Sequence, residues 1–154
     1  MYYLGLDVGS SSVKAALVEA KSGKSIQSVH EPKNEMSISS LKNDWAEQDP
    51  NVWWKYTCTA IKRVCKESNI DPKKIISIGI SYQMHGLVIV DKNGEPLRDS
   101  IIWCDSRAVN IGNDAYEKLG EDKCMSHLLN SPGNFTASKL KWVKENEPEV
   151  YEKI

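Results

Sequence analysis

The 154-residue chain carries 20 basic and 21 acidic side chains, a formal net charge of -1, and is 40% hydrophobic. Such a chain can bury its own core, and it has no cationic surplus to neutralise a phosphate backbone, which argues against a nucleic-acid partner. It has no apolar run of bilayer length and no leader-like basic start before an apolar stretch, so a cytoplasmic protein without a membrane partner is expected.

In chain order, Tyr2 to Leu6 reads as a strand that Asp7 and Gly9 break. Val13 to Val18 and Lys24 to Val29 read as two more, joined through Lys21-Ser22-Gly23, so the chain opens as an antiparallel meander. Glu31 to Gln48 is polar and aperiodic and reads as a long loop with one short extended piece. Asp49-Pro50 signals a helix start, and Trp53, Thr57, Ala60, Ile61 and Val64 recur at helical spacing as its buried stripe. Ile75 to Ile80 is nearly continuous in apolar character and predicts a strand covered on both faces. Leu87 to Val90 predicts a strand closed by the turn Asp91-Lys92-Asn93-Gly94, and Ile101 to Trp103 a further extended piece. Helices follow Asp105, through Ala115 and Leu119, with a break at Ser131-Pro132-Gly133. Thr136 is a natural cap for a helix carrying Leu140 and Val143, which Pro148 ends while starting a short last one. The pattern is an α/β layer architecture with a mixed sheet, antiparallel in its first strands, and flanking helices.

Two groups of residues have chemical potential. In Asp7-Val8-Gly9-Ser10-Ser11-Ser12-Val13-Lys14, Gly9 permits a sharp turn, Ser10, Ser11 and Ser12 supply hydroxyls, and Lys14 adds positive charge. Backbone N–H groups in such a turn make an anion site, and an acid beside it makes sense as a ligand of Mg²⁺ through water, the role open to Asp7. A plain hairpin turn would use the same residue types. Neither Gly-x-x-x-x-Gly-Lys-Ser/Thr nor Gly-x-Gly-x-x-Gly occurs. In the second group, Gln83 and His85 can each donate and accept hydrogen bonds, Met84 offers soft apolar surface, and Trp103 offers a flat aromatic face. Core packing of Met84 and Trp103, and a loop histidine bonded to backbone, are the plainer alternatives. The cysteines Cys58, Cys65, Cys104 and Cys124 form no Cys-x-x-Cys pair, and His30, His85 and His127 are far apart, so no zinc site is expected and the thiols read as small buried residues.

Asp-x-Gly-x-Ser/Thr-x-x-Lys at the N-terminus, between two strands of a meander, resembles the first phosphate motif of the actin–hexokinase superfamily. Within it, Asp44-Trp45-Ala46-Glu47-Gln48-Asp49-Pro50 with Trp53-Trp54, Gln83-Met84-His85-Gly86, Trp103-Cys104-Asp105-Ser106-Arg107 and Pro132 to Trp142 resemble the FGGY carbohydrate kinases. In the last segment Asn134 is an extra residue. The similarity runs in register over nearly the whole chain. It implies an actin/hexokinase-like (ribonuclease H-like) fold, of which residues 1–154 are part of the N-terminal lobe. It also implies ATP and Mg²⁺ as cofactors, and a sugar substrate held by Gln83, Met84, His85, Trp103 and Asp105, with an Asp105–Arg107 ion pair that simply braces the lobe as the plainer alternative for Asp105. Phosphate would meet Gly9, Ser10, Ser11, Ser12 and Lys14, with Asp7 on the metal.

The implied reaction moves the γ-phosphoryl of ATP onto the 5-hydroxyl of D-xylulose. Gluconate is the rival substrate, because gluconate-type members of the family also carry Met-His where this chain has Met84-His85; its carboxylate would want a cation, for which Arg107 is the nearest candidate. A non-catalytic sugar sensor is the rival from another class, although it would not need Asp7 and Lys14 together. The family's general base lies in a Gly-Asp-Asn segment that this chain lacks, as it lacks the second phosphate and adenosine motifs. The chain alone is therefore expected to be inactive. Its assembly state is open, a homodimer included, and apolar surface left uncovered is expected to drive association.

Overall fold

Strands β1 (Tyr2–Val8) and β2 (Val13–Glu19) bury every second residue near their centres, as strands with one covered face must. The computed structural model describes residues 1–154 and divides them into two units, Met1–Ser37 with Asn51–Gln83, and Ile38–Pro50 with Met84–Ile154.

In the first unit, β3 (Ser25–Glu31) pairs antiparallel with β2, and β2 with β1, so the meander read from the sequence is present. A further strand, Ile75–Tyr82, pairs parallel with β1 and makes the sheet mixed. Helix α1 (Pro50–Glu67) starts at the Asp49-Pro50 signal. Its Ala60, Val64 and Cys65 pack on Leu4, Leu6, Val13, Ala15, Leu17 and Val29. Burying one such Leu or Val side chain fully is worth about 1.5–3 kcal/mol, so this layer dominates the unit's stability. Of the stripe read from the sequence, Thr57, Ala60 and Val64 are buried, while Trp53 and Ile61 sit half-buried at its rim.

The expectation that Ile75 to Ile80 is covered on both faces is corrected: Ile76, Ile78, Ile80 and Tyr82 are 51%, 55%, 64% and 73% exposed. This strand is the edge of the sheet, and only its Ile75 joins the cluster under α1. Ile78 and Ile80 stand level with Leu4 and Leu6 but gain no such cover.

In the second unit β4 (Glu47–Gln48) pairs antiparallel with Ser100–Ile101. Counting the edge strand Ile75–Tyr82 as β5, the latter is β6. The expected strand Leu87 to Val90 is reduced to isolated bridges, Leu87 with Ile101 and Val90 with Pro96. The reason is packing, since Leu87 and Ile89 turn into a core with Ile101 and Val143. Extended structure stops at Ile101, short of Trp103. Helices α2 (Val109–Leu119), α3 (Glu121–His127), α4 (Thr136–Asn146) and α5 (Pro148–Tyr151) follow, and Pro148 separates the last two as expected. Thr136 is not a cap: Phe135 occupies that position, and Thr136 Oγ1 donates to the Gly86 carbonyl at 3.1 Å. A 3-10 turn at Pro132–Asn134 lies against α2 so closely that a β-carbon on Gly112 would fall 2.2 Å from Gly133 Cα. Cys65 and Cys124 are buried, but Cys104 is exposed, against the expectation for all the thiols. No helix is long and apolar enough to cross a membrane.

Candidate functional site

Because β1 and β5 run parallel, their C-terminal ends share one edge of the sheet, where open α/β sheets take ligands. Two features of the first unit meet there. The first is the β1–β2 turn, in which Gly9 N–H donates to the Ser12 carbonyl at 3.0 Å. A β-carbon on Gly9 would lie 3.1 Å from that same oxygen, so the tight turn favours glycine. Ser11 is exposed, with Ser10 and Ser12 half-buried, and the Ser11 carbonyl is tied to Met36 N–H at 2.9 Å.

Hairpin register places Asp7 opposite Lys14, and Lys14 Nζ lies 3.2 Å from Asp7 Oδ2. The side chains are 47% and 64% exposed, and pairs this open contribute at most about 1 kcal/mol, so each partner is easily released to another charge. Both line an open cleft of about 430 Å³ with Gly5, Ala16 and His30. One carboxylate beside hydroxyls suits a magnesium ion that keeps most of its water, and does not suit a dehydrated cage. The second feature at this edge is Gln83. Its N–H donates to the Val8 carbonyl at 3.0 Å, while its side-chain Oε1 and Nε2 are buried with no hydrogen-bond partner. An unpaired buried polar group costs about 1–3 kcal/mol, so any hydrogen-bonding partner that reached this amide would recover part of that cost.

The remaining residues read for the sugar lie in the second unit. Met84 is 65% exposed and Trp103 47%. His85 has a left-handed backbone, φ 59°, and its ring stacks on Phe135 with centroids 4.6 Å apart. Asp105 is wholly buried. Its carboxylate accepts from Ala46 N–H at 2.6 Å, Arg107 N–H at 3.0 Å and the Arg107 guanidinium at 2.7 Å. The Arg107 side chain is 1% exposed, lies 2.7 Å from Glu47 Oε1, and stacks 3.7 Å over Trp45 and 4.9 Å from Trp142. Arg98 extends the network by pairing with Glu47 and, at 2.6 Å, with Glu147. This is the geometry of an internal brace.

Phe135, Asn134, Gly112 and Lys139 have parts in this unit that no sequence motif assigns. Lys139 is fully buried, and its Nζ donates to the carbonyls of His85 at 2.9 Å and Asn134 at 3.1 Å. Burial pulls its pKa down from 10.5 to about 8; Asp105 and Cys104 resist the fall, and Arg107 adds to it. A signal was present: Lys139 precedes Val143 by one helical turn and so belongs to the buried stripe.

The sequence profile of the FGGY family of carbohydrate kinases, N-terminal domain, matches residues 2–154. Xylulose kinases of Staphylococcus epidermidis and Bacillus subtilis are 35% and 36% identical over 98% and 99% of the chain. The chain spans 29% and 30% of their lengths. Among solved structures, a xyloylose kinase of Brucella ovis superposes with TM-score 0.86 at 33% identity, covering 100% of this chain and 31% of that one. A gluconate kinase of Lactobacillus acidophilus gives 0.82 at 28%, covering 99% and 30%. The chain belongs to the FGGY family of carbohydrate kinases, as an N-terminal domain.

Proposed function

We propose that the chain is part of the N-terminal lobe of an ATP-dependent kinase that phosphorylates a neutral ketose, D-xylulose, to D-xylulose 5-phosphate. The observation that carries this reading is the Asp7–Lys14 pair beside the Gly9–Ser12 turn, at the strand edge that also delivers the unpaired amide of Gln83.

In this reading Lys14, the hydroxyls of Ser10, Ser11 and Ser12 and the turn's N–H groups receive the transferring phosphate. Asp7 would hold Mg²⁺ through water, and the ion when bound neutralises phosphate charge. In the second unit His85 bonds sugar hydroxyls, with Met84 and Trp103 as apolar walls; in the first, the Gln83 amide is a further hydrogen-bonding group for substrate. Asp105 leaves the contact set and braces the unit, because its oxygens are buried and engaged. Arg107 is likewise enclosed by Asp105, Glu47 and two tryptophan rings, so it is a poor receiver for a substrate carboxylate, which favours a neutral sugar over gluconate. Catalysis in such an enzyme is mostly positioning and charge neutralisation. The base that takes the hydroxyl's proton lies outside these residues, so they do not turn over alone.

The test is ADP release by the complete kinase carrying this lobe, with ATP, Mg²⁺ and either D-xylulose, gluconate or glycerol. Release with D-xylulose is expected. Release with gluconate alone overturns the substrate, and sugar binding without turnover of any sugar replaces the enzyme by a sensor.

A further inference from the structure

His85 holds a left-handed backbone without being glycine, a conformation its β-carbon disfavours, so contacts must keep it there. They come from the start of α4. The Phe135 ring stacks on the His85 ring, 16° from parallel. The Thr136 hydroxyl donates to the Gly86 carbonyl at 3.1 Å. The Lys139 ammonium donates to the His85 carbonyl at 2.9 Å and to the Asn134 carbonyl at 3.1 Å. Asn134 in turn donates its side-chain amide to the Trp103 carbonyl. One short segment thus fixes both the His85 turn and the Trp103 stretch. Lys139 itself has no exposure and is committed to protein carbonyls, so it does not touch a substrate.

We infer that Lys139 is a positioning residue for sugar binding, acting through the His85 carbonyl to hold the left-handed turn that presents His85. The inference rests on the sugar-kinase reading above. A lysine that merely filled the core would support stability without distinguishing the sugar from the nucleotide.

The experiment uses the complete kinase with Lys139→Met, Phe135→Leu and Thr136→Val, D-xylulose as probe, and calorimetric titration without ATP beside steady-state kinetics. For Lys139→Met the sugar Kd and KM should rise about tenfold or more, with ATP KM and kcat at saturating sugar within about twofold of wild type. Phe135→Leu and Thr136→Val should weaken sugar binding in the same selective way, Thr136→Val by about two- to fivefold. A folded Lys139→Met enzyme with unchanged sugar affinity, or with sugar and ATP parameters worsening together, overturns the inference. If Lys139→Met does not fold, the other two variants decide, and unchanged sugar Kd in both overturns it. A wild-type protein that binds the sugar but never phosphorylates it overturns the kinase reading and leaves this one to be judged by the titrations. Absence of sugar binding overturns both.

Discussion

Replacing Asp105 by alanine removes a carboxylate with 0% exposure that accepts from Ala46 N–H at 2.6 Å and from Arg107 at its backbone N–H, Nε and Nη2. The Arg107 guanidinium, 1% exposed, is then left with Glu47 as its carboxylate, and the Ala46 N–H loses the acceptor. Breaking a buried ion pair costs about 3–5 kcal/mol, and orphaning a buried N–H costs about 1–3 kcal/mol. Glu47 and the stacked rings of Trp45 and Trp142 keep part of the guanidinium's environment, so a loss of about 3–4 kcal/mol is expected. Against a usual domain stability of about 5–15 kcal/mol, that is a large fraction. Urea unfolding followed by tryptophan fluorescence reads it, with Trp45 and Trp142 reporting from beside the lesion. A loss below about 1 kcal/mol would refute the brace. So would a stable Asp105→Asn enzyme with a selectively raised sugar KM, which would return Asp105 to the sugar.

Asp7→Asn in the complete kinase should lower kcat by at least about tenfold while changing stability by less than about 1 kcal/mol, since its pair with Lys14 is half-exposed; an unchanged kcat contradicts the metal role. Gly112→Ala forces a β-carbon to 2.2 Å from Gly133 Cα and 2.5 Å from the Pro132 carbonyl, an overpacking expected to cost about 1–3 kcal/mol; an unshifted Tm would contradict the packing. Lys139, at about 8 when folded and 10.5 ordinarily, gives stability a pH dependence of definite sign. Below pH 8 both states are protonated and the cost of its burial is fully present; between 8 and 10.5 the unfolded chain binds more protons, so this contribution to stability rises with pH. Urea midpoints measured across that window should rise less in Lys139→Met than in wild type, and parallel curves would refute the assignment.

The parts legible in the sequence were those set by local pairing. Gly9 and Gly23 mark the turns of a meander, and the hairpin register that follows brings Asp7 opposite Lys14. The parallel pairing of β5 with β1 is non-local, and an apolar run such as Ile75 to Ile80 records affinity for cover without naming what supplies it. Asp105 was ambiguous for a similar reason. An acid ahead of Arg107 serves a sugar or folds back on the arginine, and only the packing of Trp45 and Trp142 around the guanidinium separates the two. The grip of α4 on His85 joins residues distant in sequence, so the helical spacing that marks Lys139 as buried does not name its partner, and nothing local to Phe135 does either. Gly112 did carry one, because a glycine inside a helix costs stability and usually answers to close packing.

The complete kinase carrying this lobe is proposed to transfer phosphoryl to the terminal hydroxyl of a neutral ketose. Phosphorus NMR of the complete kinase with ATP, Mg²⁺ and D-xylulose tests it most directly. A new phosphomonoester resonance split by the two protons of a methylene is expected to grow as the γ-phosphoryl signal of ATP declines. Loss of that signal to inorganic phosphate alone, or an ester formed only when gluconate replaces D-xylulose, would contradict it.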